Sequence, residues 1–133
     1  EETSKVMRQT LESVVNNNGG SNSYIQGYRI GGKSGTSEKQ DEDLARNRDD
    51  LYVSSYVGFA PADDPEIIML VMVDEPSMGE YYGSIVAVPV VTSVFKEALP
   101  YLGYYPQYTE EELAKMDITV RSLDGQDIEQ AKT

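Results

Sequence analysis

The chain contains no cysteine and no histidine. Those two absences exclude disulfides, cysteine nucleophiles, the common zinc sites and every Ser-His-Asp arrangement. Acid–base chemistry is left to lysine, carboxylates, tyrosine and hydroxyls. Basic residues are also scarce: 11 Lys and Arg stand against 23 Asp and Glu, a formal net charge of −12. Nucleic acid and anionic membrane are therefore not expected as main partners, because a binding face would have to overcome that field. A signal-peptide pattern is lacking, and no apolar run is long enough to predict a membrane span. No metal site and no cofactor is expected. The lack of cysteine is compatible with an extracellular location without establishing one.

What is present suits one domain, or one piece of a larger one, in 133 residues. The hydrophobic fraction of 39% can build a modest core. The chain begins at Glu1 and enters a helical pattern almost at once, so it is expected to be part of a longer protein. Met7, Leu11, Val14 and Val15 have the spacing of an amphipathic helix over residues 4–16, and Asn16 to Gly20 supplies its stop. Tyr24 to Ile30 alternates and predicts a strand. Residues 37–50 carry six acids and predict a solvated loop.

Leu51 to Ala60 predicts a second strand, with Val53, Ser55, Val57 and Phe59 on one face. Turn residues from Ala60 to Pro65 lead to Ile67–Val73, an unbroken apolar run that predicts a strand buried on both faces. So short a connection makes the pair an antiparallel hairpin. Residues 84–99 predict a long buried helix with Ile85, Val88, Val91, Phe95 and Leu99 along one stripe, widened by Val86, Val90 and Val94. Pro89 should kink it unless the regular helix starts there. The fold class is α+β, an antiparallel sheet of about three strands packed by N- and C-terminal helices. Residues 107–117 form a polar linker, Ile118 to Val120 a short strand, and Asp124 to Ala131 a turn entering a helix.

The stretch Gly27-Tyr28-Arg29-Ile30-Gly31-Gly32-Lys33-Ser34-Gly35-Thr36-Ser37 carries the chemistry. Its glycines permit close approach to the backbone, and its lysine and hydroxyls suit an anionic group. Two readings fit these residues. Gly27 to Ser34 matches the phosphate-binding pattern G-x-x-x-x-G-K-[ST], and Leu70 to Glu75 has the apolar-then-acidic form of its usual partner strand. Alternatively, Lys33-Ser34-Gly35 is a variant of the K-T-G strand of transpeptidases. A phosphate loop should lie between a strand and a helix in a parallel sheet. Here Tyr28 to Ile30 look like strand interior, and no core-packed helix pattern follows Ser34.

The wider sequence resembles class B penicillin-binding proteins, the cell-wall D,D-transpeptidases. Gly27 to Lys39 resembles their third-strand signature, and Val53 to Ala62, Val73 to Pro76 and Gly83 to Phe95 follow in the family's order. The resemblance covers roughly residues 1–105. It implies a partial penicillin-binding/β-lactamase-like fold in residues 1–106. Residues 118–133 resemble the start of a PASTA repeat, a small wall-binding module, although Arg121 stands where proline is usual.

The implied reaction is acyl transfer on the D-Ala-D-Ala end of a peptidoglycan stem peptide, with β-lactams as mimics of that substrate. By position, Lys33 would supply positive charge and orient hydroxyls. Ser34 and Thr36 would bind the substrate carboxylate, the Thr36 N–H would serve the oxyanion hole, and Gly35 would let the substrate lie flat. The family also needs Ser-x-x-Lys and Ser-x-Asn. The one Ser-x-x-Lys, Ser93 to Lys96, falls within the last helix, and Ser-x-Asn is missing. The chain is expected to hold one wall of an active site, without the nucleophile. Other expectations are a location on the outer face of the bacterial cytoplasmic membrane, with a parent anchored by an N-terminal helix, and a homodimer formed through bared apolar surface. A non-catalytic wall-binding module is the alternative.

Overall fold

A computed structural model of the chain describes residues 1–17, 22–39, 51–111 and 113–114. Helix α1 (Glu2–Asn17) precedes strands β1 (Gly31–Glu38), β2 (Tyr52–Ala60) and β3 (Ile67–Asp74). A one-turn helix α2 (Gly83–Val86) and helix α3 (Val88–Tyr101) follow. The three strands form one antiparallel sheet in the order β1-β2-β3, as expected for the α+β class. The expected strand at 118–120, the helix at 124–131 and residues 40–50 of the acidic loop expected at 37–50 lie outside the described residues.

By register, Gly32, Ser34 and Thr36 share a sheet face with Ser54, Tyr56, Gly58 and Ala60 and with Met69, Val71 and Val73. Helix α3 covers this face with Val88, Val91, Phe95 and Leu99, all buried. Gly58 makes the close approach possible: a Cβ there would stand 3.0 Å from Val91 and 3.2 Å from Phe95. Pro89 falls in the first turn of α3, where its missing N–H costs nothing, and the chain breaks from helix at Ala87 just before it. Ile85, Val90 and Val94 lie outside the buried stripe, because a helix on a sheet buries one face only. Gly103, at φ 90°, closes the far end, with the Tyr104 N–H donating to the Leu99 carbonyl. Taken as one span, Gly83–Tyr101 has the length and apolarity to cross a membrane. Its stripe packed on the sheet makes it a core helix.

Three expectations are corrected. The strand does not begin at Tyr24. Residues 24–30 form turns, with the Tyr28 N–H donating to the Ile25 carbonyl and Gly27 at φ 81°. Their carbonyls serve other segments, Gly27 accepting from Gln107 and Arg29 from Ala62, while Ile25 and Ile30 fill the core. Helix α1 buries Glu12 and Val15 and leaves Met7 and Val14 exposed. The helix is rotated so that Glu12 meets Arg29 with two hydrogen bonds of 2.7 and 2.8 Å. Strand β3 is covered on one face only: Ile68, Leu70 and Met72 are 75%, 60% and 62% exposed. An unbroken apolar run is compatible with burial on both faces, but here helix α3 covers only one of them.

Candidate active site

The Lys33 N–H and C=O point to β2, and those of Ser34 point away. This follows from the ladder: Lys39 N–H donates to the Leu51 carbonyl at 2.7 Å, so Lys39 and Leu51 are a hydrogen-bonded pair. Such pairs alternate along an antiparallel ladder. With the register Gly35↔Ser55, residues 31, 33, 35 and 37 bond to β2. Gly32, Ser34, Thr36 and Glu38 therefore turn their N–H and C=O groups to the open side of β1, which is the edge of the sheet among the described residues. An extended peptide laid there would meet the Thr36 N–H.

Side chains alternate as well. Lys33 and Gly35 lie on one face, Ser34 and Thr36 on the other, so the lysine and the hydroxyls converge only at the open edge. Lys33 is exposed and wraps to that edge, where its Nζ donates to the Ser34 carbonyl at 2.7 Å. Thr36 is exposed, and its Oγ1 accepts the N–H of Gly83 at 3.1 Å. That bond occupies a lone pair and leaves the hydroxyl proton free to be donated. Gly83 is required where α2 meets the sheet, since a Cβ would strike the backbone carbonyls of Gly35 and Ser55. Gly32 is similarly required beneath the Tyr56 hydroxyl.

Residues 75–82 wall the far end of β1. The buried Ser54 hydroxyl donates to the Tyr81 carbonyl. The Tyr81 ring stacks on Tyr52 with centroids 4.0 Å apart and contacts Tyr82 at 4.6 Å. Tyr81 is pushed up to about 12, first by its hydrogen bond to Tyr82 and then by the charge Tyr82 would carry. At the other end of β1, Arg29 pairs with Glu12 and reaches Asp63 at 2.8 Å, and these acids hold its pKa above the usual arginine value. A cavity of about 360 Å³ opens beside it, lined by Tyr28, Pro61, Leu99, Tyr104 and Pro106 among others. It lies near the beginning of β1, away from Thr36.

The structure thus brings Lys33, Ser34, Gly35 and Thr36 together on one free edge, and sets Ser93 apart. Ser93 and Lys96 are exposed on α3 while Phe95 between them is buried. The phosphate-loop reading is overturned by geometry. Ser34 is followed by four more strand residues instead of a helix, and both strand pairings among the described residues are antiparallel. No group of acids that could hold a metal occurs among the described residues. Sequence reasoning missed the wall at 75–82 and the Glu12–Arg29–Asp63 cluster. The adjacent Tyr81-Tyr82 pair was a visible signal for the first. A glutamate between Leu11 and Val15 was one for the second.

An antiparallel sheet with an edge strand and helices packed against it places the chain in the α+β class, and sequence comparison gives its family. Residues 1–96 match the penicillin-binding protein transpeptidase domain, and the chain belongs to that family. It is 41% identical over 112 residues to stage V sporulation protein D of Bacillus subtilis, covering 84% of this chain and 17% of that protein. It is 35% identical over 98 residues to a peptidoglycan D,D-transpeptidase FtsI homolog of Chlorokybus atmophyticus, covering 74% of this chain and 14% of that one. The apo transpeptidase domain of Burkholderia pseudomallei penicillin-binding protein 3 superposes with a TM-score of 0.66 at 40% identity, over 81% of this chain and 32% of that structure. The chain therefore spans less than a third of each relative.

Proposed function

We propose that the protein carrying this chain is a peptidoglycan D,D-transpeptidase, and that the chain supplies its substrate-docking strand. The observation that carries the reading is the outward row of N–H and C=O groups at Ser34 and Thr36, flanked by the Lys33 ammonium and two hydroxyls. A stem peptide adds to this edge as an extra strand, with Gly35 leaving room for it. A serine outside this chain attacks the carbonyl of the penultimate D-Ala, the terminal D-Ala leaves with a proton, and an amine from a neighbouring stem takes the acyl group. The Thr36 N–H holds the developing oxyanion. The hydroxyls of Ser34 and Thr36 hold the terminal carboxylate, and Lys33 supplies the compensating charge. β-Lactams occupy the same edge and stop at the acyl-enzyme.

The same reading assigns residues 1–106 to the transpeptidase domain, 107–117 to a linker and 118–133 to a PASTA-like segment. The protein works in wall synthesis such as that of cell division, at the outer face of the cytoplasmic membrane, anchored by an N-terminal helix. A fluorescent penicillin tests the assignment. The intact protein labels, Lys33→Ala abolishes labelling, and this chain alone stays unlabelled. Undiminished acylation of Lys33→Ala would sink the role given to Lys33.

Taken alone, the chain is proposed to form a homodimer through β3. Its register leaves the N–H and C=O groups of Ile68, Leu70 and Met72 on an open edge, beside exposed apolar side chains and without a lysine or proline to blunt it. Light scattering should give twice the chain mass, falling to the monomer with Leu70→Lys. A wild-type monomer at high concentration would refute it.

A further inference from the structure

Lys39, beside the docking strand, has no part in the mechanism above. Lys39 directly follows β1, and its N–H adds a rung to the β1–β2 ladder at Leu51. Its side chain, only 25% exposed, passes over β2 to the end of β3. There Nζ lies 2.6 Å from Asp74 Oδ1 and 2.9 Å from Glu75 Oε1. Glu75, at φ 52°, turns the chain out of the sheet, and its N–H donates to the Tyr52 carbonyl at 2.9 Å. From that root, residues 76–82 return to β1, where Gly83 meets Thr36.

One side chain therefore ties the end of the edge strand to the root of the loop that walls it. An edge strand is bonded on one side only, and exposed ends of this kind open first. Thr36 stands three residues from Lys39, about 10 Å along an extended chain, so Lys39 is remote from a carbonyl held at the Thr36 N–H. We infer that Lys39 is a positioning residue for the acyl transfer proposed above: by bridging Asp74 and Glu75 it fixes the end of β1 and the 75–82 wall as one unit, which sets the direction of the Thr36 N–H. The inference rests on the transpeptidase reading of this strand.

Lys39→Met keeps the length of the side chain and the backbone rung, but removes the ammonium that bridges Asp74 and Glu75. A misplacement of 1 Å at a reacting centre can cost on the order of 10²-fold, and Lys39 acts at one remove, so a loss of about tenfold is expected.

The test follows acylation of the intact transpeptidase by a fluorescent penicillin, separating the rate constant from the amount of reactive protein. Lys39→Met should acylate about tenfold more slowly with an undiminished reactive amount. Lys39→Arg should return close to the original rate. Asp74→Asn with Glu75→Gln should match Lys39→Met, and combining all three should add little, as expected for one coupled unit. A Lys39→Met rate equal to wild type would overturn the inference. So would a loss confined to the reactive amount, which is all that a merely structural role would move. An intact wild type that takes up no penicillin would instead overturn the transpeptidase reading, and this inference with it.

Discussion

Thr36→Val separates the bond Thr36 makes to Gly83 from the substrate contact proposed for it. The substitution keeps the size, the β-branch and the backbone N–H, and removes only the hydroxyl. Gly83 is buried, and its N–H donates to that hydroxyl at 3.1 Å. An orphaned buried donor costs about 1–3 kcal/mol. Thr36 itself is exposed, so water can reach the vacated position from the strand side, which puts the cost near the lower end, about 1 kcal/mol. In a domain of 150–250 residues that corresponds to a fall of about 2–4 °C in Tm. In the proposed function the hydroxyl proton lost from the edge would be a charge-assisted donor to a carboxylate, worth about 1.5–3 kcal/mol, or about 10- to 100-fold in acylation rate. Loss of an oxyanion donor would cost about 10²–10³-fold. Thr36→Val should stay short of that upper figure, because its N–H remains, and Thr36→Ser should restore both stability and rate. Acylation kinetics and thermal unfolding of the intact domain decide it. A Thr36→Val protein with unchanged Tm and a rate within about twofold of wild type would refute the reasoning, since both hydroxyl bonds would then be worth almost nothing.

Two further outcomes are expected. Glu12→Gln removes one of the two carboxylate charges that Arg29 meets; the Arg29 side chain is 51% exposed, so the cost is about 1 kcal/mol instead of the 3–5 kcal/mol of a fully buried pair. Chemical denaturation should show that shift in midpoint with an unchanged slope, and a loss above about 3 kcal/mol would contradict it. Tyr81, pushed up to about 12, stays protonated where an unfolded tyrosine near 10 has ionised. Its contribution is present below pH 10 and is lost as pH rises through about 12, so native stability should fall over that window and ultraviolet titration should show Tyr81 among the tyrosines that ionise late. Removing Tyr82 as partner, in Tyr82→Phe, should bring that ionisation down.

Much of the docking strand was legible without coordinates. Glycine on either side of Lys33-Ser34 permits backbone approach, and the short Ala60–Pro65 turn allows nothing but a hairpin, so an antiparallel sheet carrying a lysine and hydroxyls followed from local chemistry. Val88, Val91, Phe95 and Leu99 repeat at helical spacing, and they are the apolar residues α3 buries. The start of β1 was not legible. Tyr24 to Ile30 has the composition of a strand, yet its carbonyls are claimed by Gln107 and Ala62, distant segments that no local pattern could announce.

The sequence by itself determined which residues could do chemistry: with cysteine and histidine absent, the burden fell on Lys33, Ser34 and Thr36, and turn lengths determined the topology around them. Only the tertiary structure decided which way each group points. Alternation along β1 is the same in any register, so whether the Thr36 N–H faces β2 or the open edge depends on pairing with Ser54 and on the Lys39–Leu51 rung. The same holds for Thr36 and Gly83, and for Lys39, Asp74 and Glu75, partners separated by 35 or more residues in sequence. Such contacts arise from the closing of the sheet, which places the ends of β1 and β3 across one intervening strand, a proximity that sequence neighbours do not encode.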